Sequence, residues 1–198
     1  MVGMMPSRSL RRAVRLVTVL NLMYFGIEFA FAVAIGSVSL FADSVDFLED
    51  ASINLLIAFA FGWSARNRAR MGMLLAGIIV LPSLATLWTA WGKVLAPVAP
   101  MPLPLGLAGL GALAVNLTCA RILVRYRHHA GSLTRAAFLS ARNDTIANVA
   151  IIAVGLVTAF LWRSAWPDLI VGLGIGIMNA GAAREVWQAA RAEHDAAQ

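Results

Sequence analysis

The order of apolar and polar positions divides the chain into six long apolar runs, approximately residues 13–35, 39–63, 71–95, 103–124, 136–162 and 167–190. Each reaches the ~20 residues that an α-helix needs to cross ~30 Å of hydrocarbon. The breaks between them are polar, or carry proline and glycine. They are Gly36-Ser37, the stretch from Ser64 through Arg70, the prolines 97, 100, 102 and 104, the basic stretch from Arg125 through Arg135, and the turn from Arg163 through Pro167. In lipid, backbone polar groups are satisfied only within a helix or a closed barrel, and runs this long and rich in Leu and Ala are helices. The pattern therefore predicts an all-α membrane protein, six transmembrane helices forming one domain over residues 1–198.

Composition strengthens this picture. The chain is 60% hydrophobic and 13% charged, where a soluble domain is about half apolar and about a quarter charged. The net charge of +6 does not mark a nucleic-acid partner, because the basic residues sit between the apolar runs with no aromatics interleaved. Thirteen of the sixteen fall on one side of the predicted spans: Arg8, Arg11, Arg12 and Arg15, then Arg66, Arg68 and Arg70, then Arg121, Arg125, Arg127 and Arg135, then Arg184 and Arg191. Lys93 and Arg163 fall on the other side, and Arg142 lies inside a span. By the positive-inside rule both termini are cytoplasmic, and the expected location is a bacterial inner (plasma) membrane. The arginines before the first run, with Ala30-Phe31-Ala32 at its end, imitate a signal peptide. The run is too long for one and holds Asn21 and Glu28, so it is read as an uncleaved first span. The single Cys119 excludes an intrachain disulfide.

Six acids then stand where a bilayer disfavours them: Glu28 in the first run, Asp43, Asp46, Glu49 and Asp50 in the second, and Asp144 in the fifth. A carboxylate at mid-bilayer costs several kcal/mol unless it is partnered, neutralised or in a wet cavity. On an α-helix i and i+4 share a face, so Asp46, Asp50 and Asn54 form one stripe and Ser140, Asp144 and Asn148 another. Two facing helices can aim such stripes at one cation near mid-membrane, where transporter sites commonly lie. Arg142 projects about 160° away from Asp144 at 100° per residue, and one arginine cannot neutralise six acids. Glu49 points off the main stripe and is paired in this reading with Arg142.

The run from Gly36 to Asp50, GSVSLFADSVDFLED, resembles the second helix of the cation diffusion facilitator (cation efflux) family. Ala136-Ala137-Phe138-Leu139-Ser140 with Asp144 resembles its fifth, and Asn21, Glu28 and Trp166-Pro167-Asp168 fit as well. The resemblance implies six helices with both ends cytoplasmic, and export of a divalent metal, often zinc, in exchange for protons. It implies a site with two ligands four apart on each of two helices, here Asp46 with Asp50 and Ser140 with Asp144. The family usually has His or Asp where this chain has Ser140, and Asn143, Asn148 or water is left to supply the missing oxygen. The family's cytoplasmic metal-binding domain, which supports dimerisation, has no counterpart in this sequence, and a homodimer is left open.

No Cys is near the candidate site and no His lies within a span. An all-oxygen set suits Mn²⁺, Mg²⁺ or Fe²⁺, whereas Zn²⁺ usually takes His or Cys besides carboxylates, so the metal is unresolved between zinc and other divalents. His128 and His129 are read as exposed loop residues. The cation is cargo and no resident cofactor is expected; the partners are the bilayer, the metal and protons. Two other readings compete. A lipid-headgroup transferase would hold Mg²⁺ with an Asp-x-x-x-Asp pair, but needs Gly after a preceding Asp-x-x-Asp, and Phe47 stands there. A non-transporting assembly subunit would use the small residues of the last helix, Gly172, Gly174, Gly176 and Gly181, for packing. The transporter, not an enzyme, is the expectation.

Overall fold

The computed structural model describes residues 8–60, 65–125 and 131–195. Among them are six α-helices and no strand: α1 (Arg8–Ile35), α2 (Val38–Ala60), α3 (Ala65–Leu95), α4 (Pro102–Val124), α5 (Gly131–Phe160) and α6 (Trp166–Asp195). Four helices run further into polar sequence than hydropathy predicts. α1 begins at Arg8, α3 at Ala65 and α5 at Gly131, while α6 continues to Asp195. The stretch expected as a turn through Arg70 is helical from Ala65, and the basic loop expected to extend to Arg135 gives way to helix at Gly131. Ala and Arg are strong helix formers, so a helix continues into polar residues after its apolar stripe has ended.

Two helices, over Ser9–Ile35 and Pro102–Val124, are long and apolar enough to cross a membrane by length and composition; Asp144–Phe160 and Trp166–Met178 are shorter apolar segments. The outward faces are apolar, with Met23, Leu103, Leu107, Trp88 and Ile146 all exposed. Meanwhile Asn21, Glu28, Asp43 and Asn148 are fully buried. A water-soluble protein places large contiguous apolar surface inside rather than outside.

α1 packs most closely on α2, α4 on α5 and α3 on α6, with α1 also against α4 and α2 against α6. Close packing of α4 on α5 follows from small residues: a methyl group added at Gly155 would stand 3.3 Å from the Gly106 nitrogen and the Pro102 carbonyl. Two of the apolar clusters lie at different heights along α1 and α4. One joins Ala32, Leu40, Leu105, Ile151 and Ile175. The other joins Leu10, Val14 and Val17 to Cys119 and Leu123. On α1 and α4 the segments between these clusters hold Asn21, Tyr24, Glu28 and Asn116, so the polar residues form a layer between two apolar ones.

The α1–α2 turn is tightly specified. Gly36 has φ +63, the left-handed conformation that glycine adopts without strain, and Ser37 N donates to Ala32 O at 3.0 Å; together they close α1 with a Schellman motif. Ser37 then caps α2, its Oγ accepting from Leu40 N at 3.2 Å. The next two free amides, Val38 N and Ser39 N, donate to Asp168 of α6 at 2.9 and 3.1 Å. Asp168 also accepts from Ser37 Oγ at 2.7 Å, Ser39 Oγ at 2.6 Å and Lys93 Nζ at 2.7 Å. Lys93 donates in addition to Gly36 O. One buried carboxylate thus caps a helix remote in sequence, neutralises the only lysine, and fastens the ends of α3 and α6 to the α1–α2 turn. Gly172, one turn past Asp168 on α6, makes this approach possible: a methyl group there would lie 2.6 Å from the Val38 carbonyl carbon.

Candidate metal centre between two helices

α2 carries its acids inward because Leu40, Ala42, Val45, Phe47 and Ala51 are buried with them; this stretch has no solvent-facing side. At 1.5 Å per residue, Asp46 and Asp50 lie ~12 and ~18 Å from the start of a helix ~34 Å long, at mid-depth. Asp144 lies ~20 Å along α5. The two helices pack on each other, and Asp144 lies in the field of Asp50. A cation held between two carboxylates requires both to be deprotonated. Asp46 lies in the field of Asp144, Asp43, Glu49 and Asp50. Unlike Asp50 and Asp144, which are 4% and 7% exposed, Asp46 is partly open to its surroundings.

Of the five candidate residues, the structure places Asp46, Asp50 and Asp144 within one another's electrostatic field. The backbone of Ser140 and Asn143 is helical, at one turn and one residue before Asp144, but their side chains lie outside the described residues. The same holds for Arg142, so its expected pairing with Glu49 falls outside as well; Glu49 is buried. His128 and His129 also lie outside the described residues. Among the described residues, no three His, Cys, Asp or Glu side chains, Asp46, Asp50 and Asp144 included, are gathered closely enough to hold a metal ion.

A second set of contacts was not legible in the sequence. Asn116 Nδ2 of α4 donates to Asn148 Oδ1 of α5 at 3.1 Å, and Asn148 Nδ2 donates to Asp43 Oδ2 of α2 at 2.7 Å. The Asp43 carboxyl lies against that of Glu28 on α1. Both Glu28 oxygens are buried, and no N–H or O–H donor among the described residues reaches them. A hydrogen-bonded chain therefore crosses α4, α5 and α2, with Glu28 of α1 in the field of its last member. Asn148 is thus engaged by both Asp43 and Asn116. Asn54 is likewise engaged, its Nδ2 donating to Asp50 O at 2.8 Å. Asp43, which a headgroup transferase would need beside Asp46, is held by Asn148. Tyr24 closes the layer, its ring 5.0 Å from that of Phe47 and its hydroxyl donating to Ala108 O at 2.5 Å.

A sequence model described as the cation efflux transmembrane domain matches residues 14–191, nearly the whole chain. No curated protein matches it.

Proposed function

The chain belongs to the cation efflux family, and from this premise we propose that it exports a divalent transition-metal cation in exchange for protons, with Asp46, Asp50 and Asp144 as ligands. Membership makes it an integral membrane protein and a cation transporter. The observation that carries the finer reading is the proximity of Asp50 and Asp144, which feel each other's charge across α2 and α5. It joins the two stripes at mid-depth, beside a third carboxylate that is partly accessible. Ser140, and Asn143 one residue before Asp144, complete the ligand set in this proposal.

The cycle is alternating access. Metal arriving from the cytoplasm displaces the protons of the acidic cluster; the bundle rearranges; protons from outside reload the carboxylates as metal leaves. Both steps follow from one linkage, since carboxylates must deprotonate to bind metal. The proposal includes six spans with both termini cytoplasmic in a plasma membrane, and leaves zinc and the harder divalents together, because the described donors are all oxygen. The test is metal-driven proton flux in proteoliposomes. Asp50→Ala should abolish flux while the protein remains folded and inserted; wild-type flux in that variant overturns the site. Metal competition in Ser140→His should shift preference toward zinc, the ion that favours imidazole.

A further inference from the structure

At the end of the bundle opposite Asp168, α1 and α4 border an open cleft of about 260 Å³ lined by Ala13, Thr118, Arg121, Ile122 and Arg125. Arg121 and Arg125 are four apart on the exposed face of α4. Packing of Leu10 and Val14 on Cys119 and Leu123 brings the start of α1 to the same end, and with it the exposed Arg12 and Arg15. Among the described residues the ion pair is Lys93–Asp168, at the far end; no carboxylate is paired with any of these four arginines. The Nε of Arg11, on the same turn of α1, is buried without a hydrogen-bond acceptor among the described residues.

The surface directly inward from these arginines is apolar. On α4, Leu103, Leu107, Leu110 and Leu117 are exposed at helical spacing and lead to Arg121; on α1, Leu16, Val19 and Met23 follow Arg12 and Arg15. α4 is ~34 Å long at 1.5 Å per residue, close to the thickness of the hydrocarbon core, which sets Arg121 and Arg125 at the headgroup level. We infer that this cleft binds an anionic phospholipid, its phosphate held by Arg121 and Arg125 and its acyl chains lying along the leucines of α4. Guanidinium groups bind phosphate bidentately, and basic pockets between helices at one membrane face select anionic headgroups. A free phosphate would satisfy the arginines only; an amphiphile satisfies the leucines as well. The inference requires a membrane protein and is independent of the transport reading.

The experiment uses the full chain purified in neutral detergent and titrated separately with phosphatidylglycerol, phosphatidylcholine and inorganic phosphate. Bound lipid is read by native mass spectrometry and stabilisation by the midpoint of thermal unfolding. Phosphatidylglycerol should stay bound and raise the midpoint, while the other two should do neither. The double variant Arg121→Gln/Arg125→Gln should lose phosphatidylglycerol binding on the order of tenfold or more, from two fewer basic contacts at the headgroup level. Arg163→Gln, exposed at the opposite end, should bind as wild type does. Arg125→Gln alone, at the last exposed position of the helix, gives a smaller loss by the same readout and serves if the double variant does not fold. Equal binding of phosphatidylcholine, full competition by inorganic phosphate, or undiminished binding in the variants overturns the inference.

Discussion

Asn148 is bonded at both ends of its amide, accepting from Asn116 and donating to Asp43. In Asn148→Leu the Asp43 carboxyl loses the amide that donates to it and Asn116 its acceptor. Leaving a buried polar group unmatched costs about 1–3 kcal/mol, so the variant should unfold at a lower temperature in detergent by an amount matching at least one such loss. Gly111→Ala tests the same layer from α4. A methyl group at that position would run into the Tyr24 hydroxyl, displacing it from Ala108 O. The expected cost is about 1–3 kcal/mol, as for other overpacked sites, again by thermal unfolding. These residues also show what a single sequence makes legible. The four-residue spacing of Asp46 and Asp50, and the isolation of Asp144 in an apolar run, identify the acids because helical periodicity is local. That Asn148 turns to Asp43 depends on which helices become neighbours, and no spacing within one helix encodes that. Asn116 was the available signal: an amide in the middle of an otherwise apolar run.

At the scale of elements, the joint between the α1–α2 turn, Lys93 and Asp168 makes the sharpest prediction. Asp168→Ala strands a buried ammonium and uncaps α2. Removing one partner of a buried ion pair costs about 3–5 kcal/mol, and the loss should appear as a large drop in unfolding midpoint. Adding Lys93→Met should recover part of it, because the stranded charge is then gone; a double-mutant cycle measures the coupling. If the double variant were no more stable than Asp168→Ala, the ion pair would not be what the carboxylate is needed for. Hydropathy located all six helices but not their ends, since it sees where apolar sequence stops and not where helical backbone stops. It also counted Lys93 only as a charge on the sparsely basic side. Its pairing with Asp168 brings together positions 75 residues apart, which the pattern along the chain does not reveal.

For the molecule as a whole, exchange of metal for protons fixes the sign of the pH dependence. Protons and cation compete for the same carboxylates, so cation affinity measured by calorimetry should fall as pH is lowered and proton release on binding should be measurable. An affinity that did not change with pH would remove proton exchange from the proposed cycle while leaving the ligands untouched. The capped start of α2 bears on the same site in a different way. Because Asp168 fixes Val38 in both height and rotation, the eight residue steps from Val38 to Asp46 and the twelve to Asp50 act as a ruler. One residue inserted between Val38 and Asp46 would turn both carboxylates by ~100° about the helix axis and raise them by ~1.5 Å, away from Asp144. The same insertion between Phe160 and Trp166, where the chain is not helical, would be absorbed in the turn. The segment from Val38 to Asp50 can therefore vary in side chains far more freely than in length.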